Sequence, residues 1–192
     1  MIQATLHNAC EQDTLSDCVQ SLLPETRFCE WRNSMERCKI PIQRIRPAAE
    51  ADAGRIAEII VTNYRMNFYP FFRNDQFYFR ELNVLDTAKE YAAGSSALQN
   101  SYVYDDGIVK GVIHISGTKI EKLYVEPQFQ GQGIGAALLQ YAVQKRQAVS
   151  LWVLEYNTRG IAFYERNGFC LTGEKRIEDE VVPLLKMERV TE

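Results

Sequence analysis

The stretch "LYVEPQFQGQGIGAALLQYA", Leu123 to Ala142, decides how this chain is read. An apolar run stops at Pro127, glycines follow on alternate positions at Gly131, Gly133 and Gly135, and an apolar pattern of helical period resumes. Glycine carries no Cβ, so the backbone at these positions is able to lie against another group. Strand, glycine turn and helix together make an anion-binding arrangement. Free backbone N–H groups and the positive end of the helix dipole meet at the turn.

On either side of this turn the pattern alternates between strand and helix. Upstream, "SYVYDDGIVKGVIHISG" reads as two strands joined at Asp106-Gly107, because glycine accepts the positive φ of a tight hairpin turn. Asp105 and Asp106 are therefore turn residues, not paired catalytic carboxylates. His114, flanked by Ile113 and Ile115, reads as structural. "TKIEKLYVE" is the next strand. Downstream, a helix runs to about Gln147, followed by a buried strand "SLWVLE", a short helix ending at Asn167-Gly168, and two closing strands, "FCLTGEKRI" and "VPLLKMER".

Before the hairpin, Ile40, Ile42 and Ile45 with Pro47 predict a first strand, and Ile56, Ile59, Ile60 and Tyr64 share one helical face. Eight aromatics then fall between Tyr64 and Phe79. They read either as a packed helix pair or as an apolar wall to a substrate pocket, with Tyr64, Phe68, Tyr69 and Phe72 as candidate substrate contacts. Arg73 and Arg80 are candidates to meet a carboxylate. Residues 1–39 differ from the rest. Leu15, Cys18, Val19, Leu22 and Leu23 form an amphipathic stripe stopped by Pro24, and Phe28, Trp31, Met35 and Cys38 form a weaker one. A helical hairpin is expected there, with the main domain over 40–192.

The totals bound the function classes. The 192 residues suggest one domain with a short accessory segment. A hydrophobic share of 46% and a charged share of 24% are ordinary for a globular protein that buries its own core. A net charge of −3 leaves no basic footprint for nucleic acid. No segment approaches the roughly 18 apolar residues of a membrane span, and the N-terminus lacks a basic start followed by an apolar run. A cytoplasmic protein with no membrane partner is expected. The five cysteines, Cys10, Cys18, Cys29, Cys38 and Cys170, form no C-x-x-C pair. Neither a disulfide framework nor a metal site is expected.

Two ligands fit the glycine turn. Gly131-x-Gly133-x-x-Ala136 matches a dinucleotide fingerprint, and Glu155 ends a strand roughly twenty residues on, where a ribose-binding acid belongs. However, "EPQFQ" separates the fingerprint from its strand, and the chain has room for only one βαβ unit. The second ligand is coenzyme A, with its pyrophosphate on the N–H groups of Gln130 to Gly135 and its pantetheine arm along "LYVE". The pattern [QR]-x-x-G-x-[GA], present as Gln130, Gly133 and Gly135, resembles the signature of the GNAT superfamily of N-acetyltransferases. A second block, "NTRGIAFYERNGF" from Asn157 to Phe169, resembles that family's N-x-x-A-I-x-F-Y-x-x-x-G-F. Gly160 departs from it, standing where alanine is usual, and is expected to loosen the helix locally. The resemblance covers roughly Ile42 to Arg189. It implies an α/β fold, a mixed and mostly antiparallel central sheet with flanking helices, to which the N-terminal helical extension is added.

The resemblance implies transfer of an acetyl group from acetyl-CoA to a primary amine, directly in a ternary complex and without a covalent acyl-enzyme. The alternative is a catalytically silent acyl-CoA-binding module acting through a partner. Acetyl-CoA would be held by Leu123, Tyr124, Val125, Gln130, Gly131, Gln132, Gly133, Ile134, Gly135, Asn157 and Tyr164. The thioester oxygen would be stabilised by the N–H of Val125 or Leu123, where the strand splays from its neighbour. Tyr164 would protonate the leaving thiolate, since a phenol near pKa 10 is protonated at neutral pH. Glu121 and Glu155 are candidate bases. Glu121 lies two residues from Leu123 and so on the same face. The acceptor is a small-molecule or peptide amine, and the protein a monomer or homodimer.

Overall fold

The structure, a computed structural model, describes residues 42–179 and 181–189. The expected helical hairpin of residues 1–39 lies outside the described residues. Among the described residues, seven strands form one sheet in the order β1-β2-β3-β4-β5-β7-β6. They are β1 (Ile45–Pro47), β2 (Ser101–Asp105), β3 (Val109–Ser116), β4 (Lys119–Val125), β5 (Ser150–Leu154), β6 (Phe169–Glu178) and β7 (Val182–Arg189). All neighbours are antiparallel except β4 and β5. The mixed, mostly antiparallel sheet is the expected one. It is not the doubly wound sheet that a dinucleotide reading requires.

Helices cover both faces. On one side, α1 (Ala53–Asn67) buries Ile56, Ile59 and Ile60 against Val103, Val112 and Tyr91. On the other, α5 (Ile134–Arg146) buries Ile134, Ala137, Leu138, Leu139 and Ala142 against Ile113, Ile115, Ile120 and Leu151. Between α1 and β2 the chain makes α2 (Tyr69–Phe72), a π-helical turn at Phe77–Glu81, α3 (Val84–Lys89) and α4 (Ser96–Gln99). The aromatic segment breaks from α1 at Phe68 because Pro70 has no N–H to continue the ladder and is accommodated at the second position of a new helix. Finally, α6 (Thr158–Glu165) connects β5 to β6.

Two details depart from the sequence pattern. The first strand begins only at Ile45, and Ile42–Arg44 forms a 3-10 turn. Ile45 pairs with Tyr104, one residue from the end of β2, so the preceding residues have no strand to pair with. The second is a β-bulge in β4. His114 pairs with Lys122 and Ile115 with Ile120, which leaves Glu121 as the extra residue. The alternation of faces resets there. Ile120, Leu123 and Val125 all pack on the α5 side, while Tyr124 packs on the α1 side.

The parallel pairing of β4 with β5 is confined to Lys119–Ser150 and Ile120–Leu151. Both strands run on without further pairing, to Val125 and Leu154. The sheet is thus split at its centre, and the split is the V-shaped gap expected between "TKIEKLYVE" and "SLWVLE".

Candidate active site

The split opens into a cleft of about 530 Å³. Its walls come from the end of α1 (Asn63, Asn67), Phe68, the free half of β4 (Leu123, Tyr124, Val125), the glycine turn (Gln130, Gly131, Gly133), the start of α5 (Gly135, Ala136) and α6 (Asn157, Phe163, Tyr164). Both signature blocks therefore face one cavity.

The turn owes its shape to glycine. Gly131 and Gly133 have φ of +76° and +87°, a region costly for residues with a Cβ. Gly133 is also the N-cap of α5, and no side chain caps that helix. The N–H groups of Ile134, Gly135 and Ala136 in the first turn have no intrahelical acceptor, and Gly135 and Ala136 line the cleft. Arg159 and Arg166 stand on the rim, both exposed, their side chains without an ion pair or hydrogen bond among the described residues. The donor set suits a polyphosphate.

The free edge of β4 has a defined direction. Glu126 N–H donates to Lys110 O at 2.9 Å, on the β3 side. The Val125 carbonyl, in the same peptide, therefore points away from β3, toward the split. N–H and C=O of one strand residue point the same way, and the sense alternates along the strand. The N–H groups of Val125 and Leu123 thus both look into the split, where β5 has already diverged. The Val125 carbonyl is taken by side chains, accepting from Asn63 Nδ2 and Gln130 Nε2, each at 3.1 Å.

Tyr164 packs edge-on against Phe163 and Phe169, with ring centroids 5.1 and 6.1 Å away. Its hydroxyl has no hydrogen-bond partner among the described residues. Burial pushes the phenol above its ordinary pKa, because desolvation penalises the phenolate. Tyr164 is therefore a weaker acid than an ordinary tyrosine and stays protonated to higher pH.

Asn157 caps α6, its Oδ1 accepting from Gly160 N–H at 2.9 Å. This geometry accounts for Gly160. A Cβ there would stand 2.7 Å from Asn157 Cγ and 2.9 Å from Oδ1. The glycine makes room for the folded-over cap, which is a more specific role than the loosening expected from sequence.

Other candidates fall elsewhere. Glu121 sits on the bulge, paired to Lys119 at 2.9 Å, and Glu155 binds Lys175 at 2.7 Å. Neither lines the cleft, and among the described residues no carboxylate does. Gln132 is exposed, with its amide 3.4 Å from Gln128 O, and the Ile134 side chain belongs to the core, so neither side chain reaches the cleft. Of the four aromatics named as substrate contacts, only Phe68 lines the cleft. Tyr64 packs on Phe68 and Tyr124 and borders a smaller cavity beside Lys122 and Glu90. Tyr69 donates to Asp75 at 2.7 Å, and Phe72 is not in the wall. Asn63 and Asn67 escaped the sequence reading, although Asn63 continues the apolar stripe of Ile56, Ile59 and Ile60. A polar residue on a buried stripe was the available signal.

A split mixed sheet with a glycine-turn helix start at its mouth gives this α/β protein a cleft with backbone N–H groups at one end. Comparison with known proteins narrows the class. Residues 98–170 match the family model of the acetyltransferase (GNAT) domain. The chain is 32% identical over 79 residues to the peptidyl-lysine N-acetyltransferase YjaB of Salmonella typhimurium, covering 40% of this chain and 54% of that one. It thus spans about half the length of that curated relative. The fold is similar to the solution structure of apo YjaB from Escherichia coli, with TM-score 0.61 and 22% identity over 77% of this chain and 97% of that one. It is also similar to the PaiA N-acetyltransferase of Thermoplasma acidophilum in complex with coenzyme A, with TM-score 0.50 and 19% identity over 74% and 96%. The likeness to the GNAT acetyltransferase domain thus covers residues 98–170, and the solved structures share the fold of this chain.

Proposed function

We propose that the protein is an N-acetyltransferase that moves an acetyl group from acetyl-CoA to a primary amine by direct transfer in a ternary complex. The observation that carries this reading is convergence: a helix start suited to an anion, a strand edge with inward N–H groups that β5 leaves unpaired, and a half-buried phenol with no hydrogen-bond partner among the described residues line one cleft. The pyrophosphate would lie on the N–H groups from Gly131 to Ala136, flanked by Arg159 and Arg166. The pantetheine arm would run along Leu123 to Val125, supplying the hydrogen bonds that β5 does not.

In the reaction the neutral amine attacks the thioester carbon and a C–N bond forms. The carbonyl π electrons move to oxygen, where the Val125 or Leu123 N–H meets the developing charge. Collapse breaks the C–S bond. The departing sulfur takes the Tyr164 proton, and the proton shed by the amine returns the phenolate to phenol through water. Because burial weakens the phenol as an acid, its proton moves only as the C–S bond breaks, with no standing phenolate. Among the described residues no carboxylate lines the wall, and water is the base. The likeness to YjaB makes a peptidyl lysine the acceptor class to try first.

Calorimetric titration with acetyl-CoA and, separately, NAD⁺ tests the reading, followed by acetylation of a lysine peptide. Micromolar acetyl-CoA binding, no NAD⁺ response and peptide acetylation are expected. NAD⁺ binding alone would overturn it, and acetyl-CoA binding without transfer to any amine would leave a coenzyme-binding module.

A further inference from the structure

Where β5 leaves β4, a peptide edge inside the fold loses the strand that would hold it. We infer that Asn63 and Gln130 are positioning residues that stand in for this missing strand and aim the Val125 N–H at the acyl oxygen. The inference rests on the transferase reading and extends it to two side chains.

Asn63 is 2% exposed, on the face of α1 that otherwise buries isoleucines. Such a site is costly for an amide unless every donor and acceptor is used. All are. Its Nδ2 donates to Ile59 O at 2.8 Å and to Val125 O at 3.1 Å. Its Oδ1 accepts from Asn67 Nδ2 at 3.2 Å and from Gln130 Nε2 at 3.4 Å. Gln130 Nε2 reaches the same Val125 carbonyl at 3.1 Å. On the opposite side the Glu126 N–H is held by Lys110 O, and the Glu126 carboxylate by Arg55 at 2.8 Å. The peptide after Val125 is therefore pinned from both edges. Holding that plane restricts the torsions of Val125, on which the direction of its own N–H depends.

An oxyanion donor works because its direction is set before charge develops, so that no reorganisation is needed during reaction. A strand edge with no neighbour would lack that rigidity. Two amides tied to α1 and to the glycine turn supply it, and they couple the coenzyme-binding turn to the reacting centre through Gln130. This also gives the Gln130 side chain a role beyond that of its backbone in the turn.

The test uses Asn63→Leu and Gln130→Leu in the full chain. The probes are CoA and acetonyl-CoA, an uncleavable thioether that carries the ketone oxygen the Val125 N–H would meet. The unsubstituted protein is expected to prefer acetonyl-CoA. Each variant should lose about tenfold of that preference and about tenfold in kcat, with CoA affinity and acceptor KM within twofold of the original. If Asn63→Leu does not fold, Gln130→Leu, on the half-buried turn, carries the test. Unchanged preference and kcat in folded variants would overturn the inference, as would equal binding of both probes by the unsubstituted protein. A protein that binds CoA and transfers acetyl in either of those cases leaves the transferase reading standing. A protein that binds neither probe overturns both.

Discussion

Replacing Gly160 by alanine tests whether the Asn157 cap, rather than helix propensity, governs the start of α6. The φ of Gly160 lies outside the left-handed region, so the backbone accepts alanine. Two effects then oppose each other. Alanine is favoured over glycine in a helix interior by about 1 kcal/mol, and by less at the third helical position. Against this, the new Cβ would lie 2.7 Å from Asn157 Cγ, so the cap must swing out, and losing an Asn cap costs about 1 kcal/mol. The net change for Gly160→Ala alone is within about 1 kcal/mol of zero, a Tm shift of at most about 2–4 °C for a chain of this size, and decides little. The double-mutant cycle decides. Asn157→Ala should cost about 1 kcal/mol in the original protein and about nothing beside Gly160→Ala, where the cap is already displaced. That is a coupling of about 1 kcal/mol, against the few tenths expected for independent sites. Urea unfolding of the four proteins measures it. Equal costs of Asn157→Ala in both backgrounds would refute the steric reasoning, because they would mean that cap and methyl group coexist.

Tyr164→Phe should lower kcat at least tenfold while leaving CoA affinity within twofold, since the ring stays and only the donor is lost; stopped-flow turnover against titrated CoA separates the two. The same variant bears on alkaline stability. Burial raises the phenols of Tyr64, Tyr91, Tyr124 and Tyr164, so above about pH 10 the unfolded chain sheds protons that the folded chain retains. Their contribution is complete below the unfolded value and falls as pH rises toward the folded one, by up to about 1.4 kcal/mol per pH unit for each group. Unfolding curves from pH 9 to 11.5 should steepen in the original protein and be shallower in Tyr164→Phe; parallel curves would mean that this phenol is not held back by burial. Glu121→Gln and Glu155→Gln should each keep kcat within about threefold with an unshifted pH profile, and a tenfold loss with a displaced acid limb in either would reinstate a carboxylate base.

Most of the fold was legible because its signals are local. The Asp106-Gly107 turn, the apolar stripe of Ile56, Ile59 and Ile60, and the glycine turn before Ile134 each declare their element within a dozen residues, and the sheet arranges elements already readable. The candidate site was legible where glycine shapes the backbone, since glycine spacing is written in the chain. What was not legible depends on pairing. Face alternation from Leu123 to Glu121 holds only in a regular ladder, and the bulge that breaks it exists in the register between His114 and Lys122, not in the composition of either strand. Glu121 was carried off the expected face by one extra residue. Gly160 was misjudged for a related reason: its helix cost is local, but the contact that requires it is made by a side chain three residues earlier, folded back over the helix start. Asn63 lies between these cases. An amide in an isoleucine stripe announces that something polar meets that face, and only the split between β4 and β5 says what: a strand edge with no strand beside it. The candidate site lies where the regular hydrogen-bond ladder between β4 and β5 stops, and the residues around that stop come from elements far apart in sequence.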